Sequence, residues 1–374
     1  MKNNGTFQQN QLLALMSVAM FSPVLRLYPG LSAALAGRGA WLSPAAALPP
    51  MLAYAWLLLR FFRERREEEG LEELCLRALG DRAGRIALLL LGLWLLLYGA
   101  FLLRAGADRF VVTVFPAAAP RFFVISMGLA ILPAALSGTR TLARMARLVF
   151  PPLLLLLTVL LLYALLKLDK TNLLPLTAAD SASVALGALP VIDLLCPMLY
   201  LPGFLLGKLD RKDLSLSRMF LWLTGAALLM TALGAAVLGA FGAELTVRLR
   251  QPFFTLVRNL VFFRGLERIE ALAVSFWIVP DFLLCALLLK CGAACLRKAL
   301  TPAKDTGLRR FLSRWGSLLP VPCGLGMLAL GLFLGQDLPS FTRWSERVIP
   351  LCNLAVSLLL IPGIYVIGRA RKRL

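Results

Sequence analysis

Long apolar runs alternate with short charged stretches along the whole sequence. The runs "IALLLLGLWLLLYGAFLL" (Ile86–Leu103) and "PPLLLLLTVLLLYALL" (Pro151–Leu166) show the pattern most clearly. A helix needs roughly 20 apolar residues to cross the hydrocarbon core of a bilayer. Since these runs lack the polar face that a helix of a soluble protein keeps toward water, the pattern predicts an all-α integral membrane protein.

About ten transmembrane helices are predicted from these runs. Their approximate limits are 9–35, 41–62, 84–112, 120–138, 143–167, 181–207, 214–241, 266–296, 316–335 and 346–368. We expect residues 1–374 to form a single transmembrane domain of two five-helix halves, at about 9–167 and 181–368. An even number of spans places both termini on one side of the membrane.

The basic residues of the loops predict the orientation. The side that holds the termini carries about twice as many lysines and arginines as the other side, including the Arg60–Arg85 loop. Cytoplasmic loops are enriched in these residues, so we expect both termini in the cytoplasm. The formal charge of +20 is then an orientation signal and an attraction to anionic lipid, and no nucleic-acid partner is expected.

The Arg60–Arg85 loop contains one further element. Leu71, Leu74, Cys75 and Ala78 recur at helical spacing, which predicts a short amphipathic helix on the membrane surface. A docking surface for a partner protein is the alternative interpretation.

Composition also limits the chemistry. The chain has no histidine, which removes the commonest general base. Its seven cysteines lie mostly in apolar runs, where cysteine acts as a small core residue. Because no nucleophile–base set or metal-binding cluster is recognisable, we expect no enzymatic activity, no cofactor and no metal.

Proline residues interrupt the first span of each half at corresponding places. The first span reads "LLALMSVAMFSPVLRLYPGLSAALAG", with Pro23 in its middle, and the sixth reads "SVALGALPVIDLLCPMLYLPGFLLGK", with Asp193 between Pro190 and Pro197. A broken helix survives in a bilayer only where it lines a cavity or is buried in protein. Paired breaks are typical of inverted-repeat transporters, although two ordinary proline kinks are the simpler alternative.

Broken helices predict a site for a zwitterion. Free N–H groups attract a carboxylate and free carbonyls attract an ammonium group. We expect the carboxylate of an amino acid near the first break, its ammonium near the second, and further walls from the third and eighth spans. The candidate ligand-binding residues are Ser22, Val24, Leu25, Tyr98, Val191, Asp193, Leu194, Ser275 and Trp277.

Ionisable side chains within the spans are a second set of candidates, because charge inside a bilayer is costly and commonly functional. They are Arg26, Arg104, Asp193, Asp281 and Lys290. Asp281 is expected near the midplane, facing the bundle and paired with Arg26, unless Arg26 pairs with Asp193. Such a pair is either structural or an ion or proton site. Three residues at the start of the eighth span are read as structural interface charges, where acidic groups suit the helix dipole: Glu267, Arg268 and Glu270.

Several segments in order resemble a known family. They are "QQNQLLALMSVAMFSPVLRLYPG", "AWLSPAAALPPMLAYAWLLLRF", "LDKTNLLPL" and "GAELTVRLRQPFFTLVRNLVFFRGLERIEALAVSFWI". Together they resemble the spore germination permease family, the B subunits of spore germinant receptors, within the amino acid–polyamine–organocation transporter superfamily. Arg26 and the basic stretch Arg248–Arg268 depart from that pattern.

The resemblance implies a LeuT-like fold of ten helices, with helices 1 and 6 broken. It implies a sensor in the inner membrane of a dormant spore that binds a small nutrient, often an amino acid. It also implies two companions, a membrane subunit with soluble domains and a lipoprotein. An amino acid/cation symporter of the same superfamily is the alternative.

Overall fold

The computed structural model describes residues 8–66, 69–113, 115, 117–208, 215–259, 269–301, 316–334 and 337–373, while the side chains at 113, 269–275 and 338 fall outside the description. Every regular element in those ranges is helical. The α-helices are α1 (Gln9–Ala36), α2 (Ser43–Arg63), α3 (Leu71–Leu79), α4 (Asp81–Thr113), α5 (Pro120–Leu136), α6 (Thr139–Leu166), α7 (Ser181–Tyr200), α8 (Leu216–Arg248), α9 (Pro252–Asn259), α10 (Ile269–Leu300), α11 (Pro320–Phe333), α12 (Leu338–Arg343), α13 (Ile349–Leu354) and α14 (Ile361–Ala370). Two π-helical turns, Trp344–Val348 and Ala355–Leu360, join α12, α13 and α14 into one long helix.

Apolar helices long enough to cross a membrane make up most of the described chain. Eight stretches qualify by length and composition. The first of them, Gln9–Arg63, contains both α1 and α2, and α5 is a shorter apolar helix. The described residues therefore hold ten apolar helices near the predicted limits, and the prediction of an all-α integral membrane protein is confirmed.

The helices differ in how far protein surrounds them. α1 is buried along nearly its whole length and packs against α6, α7, α8 and α10, while α4 packs along α10. α6 lies at the periphery, where Leu148, Leu155, Leu162 and Leu166 are more than half exposed. An exposed leucine row is stable against lipid, since acyl chains are as apolar as leucine. The arrangement places α1 and α4 at the centre of the bundle.

The prolines do not break the helices in the way that the sequence predicted. α1 stays helical through Pro23 and Pro29, and α7 through Pro190 and Pro197. Each proline still leaves the carbonyl four residues earlier without its usual donor, but close packing on all sides of α1 holds its path. The sixth span changes only at its end, where Leu201–Lys208 tightens into a 3₁₀ helix. Proline-containing continuous helices, the simpler alternative, describe both spans.

The amphipathic helix predicted in the Arg60–Arg85 loop is α3, but protein rather than the membrane surface covers its apolar face. Leu71, Leu74 and Cys75 are fully buried, and α3 packs against α4, α14 and the 3₁₀ segment Leu201–Lys208. An ion pair between Glu73 and Lys298, 2.8 Å apart, adds a link to α10. α3 thereby closes one end of the bundle.

Candidate functional site

A buried ion pair joins the central helices. Asp281 of α10 is 2% exposed, and its Oδ2 lies 3.0 Å from Nη1 of Arg109 in α4. Arg109 Nη2 also donates to Asp281 Oδ1 at 3.2 Å, and the Ser22 hydroxyl of α1 donates to the same oxygen. The Nη2–Oδ1 contact is a charge-assisted hydrogen bond, and the Nη1–Oδ2 contact is an ion-pair contact. Asp281 thus ties α1, α4 and α10 together.

This pairing differs from the one predicted. Asp281 lies in the bundle interior, as expected, but its partner is Arg109 and not Arg26. Arg109 lies near the end of the predicted span 84–112 and is not among the intramembrane charges expected from the sequence. In the structure α4 continues past it to Thr113 and turns its side chain inward, where it is 1% exposed.

The other cations that were expected within the spans each contact a different kind of group. Arg26 lies over the ring of Phe101, with its Cζ 5.2 Å from the ring centroid. Arg104 lies 3.9 Å from Asp108 one turn along α4. Lys290 Nζ donates to the carbonyls at the end of α5, at 3.1 Å to Ala135 and 2.6 Å to Ser137. The lysine contact is a capping interaction of a helix C-terminus.

The predicted pocket residues with described side chains all lie in the bundle interior. Each is 2% exposed or less: Ser22, Val24, Leu25, Tyr98, Val191, Asp193, Leu194 and Trp277. α1 packs against α7, and Tyr98 of α4 lies near Asp193 of α7. Trp277 lies toward one end, where it packs against the rings of Phe253 and Phe254 in α9 at 5.6 and 5.9 Å.

Four predicted residues are not placed. Glu267 and Arg268 lie outside the described residues, and the side chains of Glu270 and Ser275 lie outside the described side chains. The interface role of the first three and the ligand role of Ser275 therefore stay predictions.

A cluster of buried polar groups with incomplete hydrogen bonding lies at the centre. Tyr98 of α4, Asp193 of α7 and Asn353 of α13 are neighbours and are fully buried. Asn353 lies within hydrogen-bonding range of both Tyr98 and Asp193. Within the described residues, however, the Tyr98 hydroxyl, both Asp193 carboxylate oxygens and both Asn353 amide atoms have no partner in good hydrogen-bond geometry. Each such group costs about 1–3 kcal/mol when it is left unsatisfied. We call these three residues the central cluster, and its chemistry suits a bound polar molecule.

Sequence reasoning missed Asn353 and Arg109. Asn353 is a lone amide in the apolar run "VIPLCNLAVSLLL", which is the same kind of signal that singled out Asp193. Arg109 follows Asp108 in an otherwise apolar stretch. Both could have been found by treating every polar residue within a span as a candidate.

One end of the site is covered by α9. α8 bends at Gly242, whose φ of 70° favours glycine, and the chain then turns into α9. The Phe254 ring of α9 lies 5.0 Å from Arg109 Cζ, as a cation–π contact. Beside it, Arg250 Nη2 donates to both oxygens of Asp108 at 2.7 Å. α9 forms an apolar cover over the buried ion pair.

Next to α9 lies a cavity of about 740 Å³, which we call the vestibule. It lies between the second half of α1, the α8–α9 junction, α7 and the long helix that begins with α12. Its lining includes Arg26, Leu27, Leu31, Leu35, Asp108, Leu189, Pro190, Arg248, Arg250, Phe341, Ser345, Glu346, Arg347, Leu351 and Leu354. Arg26 is buried inside the bundle and also lines this cavity.

Comparisons with known proteins agree with this architecture. The model of the spore germination protein family matches residues 6–313. Among solved structures, a Na⁺-coupled sialic acid symporter in a substrate-bound outward-open state aligns with a TM-score of 0.63 at 11% identity, over 97% of this chain and 79% of that chain. No curated protein matches significantly. The LeuT-like fold and the family resemblance predicted from the sequence are confirmed, and both are those of transporters and receptors.

Proposed function

Because the chain belongs to the spore germination protein family and is an integral membrane protein with a transporter fold, we propose that it is the B-type membrane subunit of a spore germinant receptor. It binds a small nutrient of the amino-acid type at the centre of the bundle. The observation that carries the proposal is the central cluster, whose buried polar atoms have no partner in good hydrogen-bond geometry within the described residues.

The central cluster offers complementary chemistry to an amino group. Asp193 supplies a carboxylate, which is stable in a dry site only when a cation or several donors neutralise it. Tyr98 and Asn353 add a hydroxyl and an amide, which both donate and accept. Apolar walls from Val24, Leu25, Val191 and Leu194 would surround the rest of the nutrient, and Ser275 and Trp277 are proposed as further walls.

Nutrient binding is proposed to act as a signal. A ligand shifts a conformational equilibrium by the difference between its affinities for the two states, so a sensor need not release its ligand on the other side. Ser22 belongs to this mechanism through Asp281, because their hydrogen bond ties α1, which lines the cluster, to α10.

We propose that the protein resides in the spore inner membrane with both termini in the cytoplasm, since the loops on that side carry the larger number of basic residues. In that orientation α9 and the vestibule face outward. The proposed companions are a membrane subunit with soluble domains and a lipoprotein, on the strength of the family resemblance.

Equilibrium binding of a radiolabelled amino-acid panel to the purified protein tests the proposal. For the amino acids that bind, Asp193→Asn should raise the Kd at least about tenfold, which corresponds to about 1.4 kcal/mol. Asp169→Asn makes the same change on an exposed loop and should leave the Kd unchanged. Equal Kd values for wild type and Asp193→Asn, or no binding by any amino acid, would contradict the proposal.

The symporter alternative needs a separate measurement. Reconstituted vesicles with and without a sodium or proton gradient should show nutrient binding but no gradient-driven accumulation if the protein is a sensor. Accumulation that depends on the gradient would favour the amino acid/cation symporter.

A further inference from the structure

Arg26 is a buried cation with hydrogen-bonding groups that have no partner among the described residues. Its side chain is 4% exposed, and among the described residues neither Nε nor Nη2 has a hydrogen-bond partner. The residue also lines the vestibule. A guanidinium has five N–H donors in a fixed fork, so this side chain presents unused donors beside a cavity of ligand size.

The acidic groups around Arg26 are engaged by other residues. Asp281 pairs with Arg109 and accepts from Ser22, and Asp108 accepts two bonds from Arg250. Arg26 keeps a longer-range attraction to these two carboxylates, and its direct contact is with the Phe101 ring, 5.2 Å away. A cation–π contact offsets only part of the cost of burying an ion. An anionic ligand would supply the counter-charge that the Arg26 guanidinium lacks.

The continuous helix α1 removes the carboxylate site that the sequence predicted. Ser22, Val24 and Leu25 are helical, so their N–H groups belong to the intrahelical hydrogen-bond ladder and do not point at a ligand. Arg26, at the next position, is the donor that the folded helix offers instead. A planar guanidinium binds a carboxylate through two parallel hydrogen bonds.

The vestibule has the charge and the surface for such a molecule. Its lining carries four arginines, Arg26, Arg248, Arg250 and Arg347, against two carboxylates, Asp108 and Glu346. The remaining walls are mainly apolar, from Leu27, Leu31, Leu35, Leu189, Leu351 and Leu354. A volume of about 740 Å³ lies within the usual range for small-molecule sites. The net positive charge attracts anions to the cavity, and the leucines favour an apolar body.

We infer that Arg26 is a carboxylate-binding residue at the floor of the vestibule, and that the nutrient is an organic carboxylate with an apolar body. The inference rests on the proposed nutrient-binding function and names its ligand class. The acidic group meets Arg26, and an amino group, where the nutrient has one, faces the central cluster on the other side of Tyr98. Tyr98, a member of the central cluster, is close enough to Arg26 to interact with it electrostatically, so the two subsites are adjacent.

Thermal unfolding of the purified full-length protein tests the inference with defined probes. Isovalerate and isovaleramide have the same apolar body and differ in charge, so only isovalerate should raise the Tm in a saturable way. Arg26→Gln should raise the half-saturating isovalerate concentration at least about tenfold, and Arg26→Lys should lie between, because a lysine keeps the charge but loses the fork. Arg121→Gln removes the charge of an exposed arginine at the start of α5, outside the cavity lining, and should behave as wild type.

Several outcomes would overturn the inference. They are equal stabilisation of wild type by the acid and the amide, an unchanged isovalerate midpoint in Arg26→Gln, and an equal loss in Arg121→Gln. Full competition by chloride at similar concentration would make the site one for inorganic anions. If Arg26→Gln does not fold, two measurements still test the inference. They are the comparison of isovalerate with isovaleramide on wild type, and the isovalerate midpoint of Arg26→Lys. Loss of amino-acid binding in Asp193→Asn with no Arg26-dependent carboxylate effect would leave the proposed function standing without this inference.

Discussion

Arg109 and Asp281 form a two-pronged ion pair inside the bundle, with contacts of 3.0 and 3.2 Å between their nitrogen and oxygen atoms. Both side chains are 1% exposed. The pair joins α4 to α10 across the chain, and Ser22 of α1 donates to the same carboxylate. A buried carboxylate that already holds a tethered guanidinium has little electrostatic demand for a free cation.

Removal of one member of this pair should destabilise the fold strongly. Arg109→Gln leaves Asp281 buried without its counter-charge, which typically costs about 3–5 kcal/mol. The double variant Arg109→Gln with Asp281→Asn removes both charges and should recover part of that loss. Thermal unfolding in detergent measures the effect. If the double variant is as unstable as the sum of the two single variants, the two residues are not coupled.

A larger side chain on α7 should weaken the nutrient response. Leu194 lies beside Asp193 and is 1% exposed. Leu194→Phe therefore narrows the proposed pocket. Overpacking of this kind typically costs about 1–3 kcal/mol of packing energy. The half-maximal nutrient concentration for germination should rise at unchanged protein level in the membrane. Leu221→Phe is the matched control, because Leu221 is 74% exposed on the outer face of α8. A fall in protein level with an unchanged midpoint would place the pocket elsewhere.

Bulkier residues at Ser22 and Val24 should also raise the half-maximal nutrient concentration, as Leu194→Phe does.

The predicted orientation can be measured by thiol labelling. In a background without the seven native cysteines, Arg373→Cys should stay unlabelled by a membrane-impermeant maleimide applied to intact cells. Arg248→Cys, at the exposed end of α8, should react under the same conditions. The reverse pattern would invert the topology and place the vestibule on the cytoplasmic side.

Stability should depend on pH through α3. Burial, followed by the neighbouring Glu73 carboxylate, raises the pKa of Glu72 to about 7 from its ordinary 4.5. A carboxyl with a raised pKa in the folded state stabilises the fold fully below pH 4.5, and this contribution is lost as the pH rises through about 7. The Tm of wild type should therefore fall across this window.

Glu72→Gln should flatten that fall, because glutamine stays neutral throughout. Glu244→Gln is the control, because Glu244 is exposed near the end of α8. This variant should keep the wild-type pH profile. A Glu72→Gln profile that is parallel to wild type would mean that other groups cause the dependence.

Hydropathy alone predicted the helices, because the length of an apolar run and the cost of exposing it to water are local properties. The order of segments such as "QQNQLLALMSVAMFSPVLRLYPG" predicted the family. The interior position of Asp281 also followed from the sequence, since a carboxylate that faces acyl chains is too costly to expect.

Only the tertiary structure decided which groups meet. Arg109 and Asp281 lie 172 positions apart, and whether Arg26 or Arg109 reaches the carboxylate depends on the rotation and depth of α1, α4 and α10. The course of α1 through Pro23 likewise depends on neighbours that hold the helix, and Asn353 joins Tyr98 and Asp193 only because α13 packs beside α7. Helix rotation and depth result from packing between distant segments, which no single run of the sequence encodes.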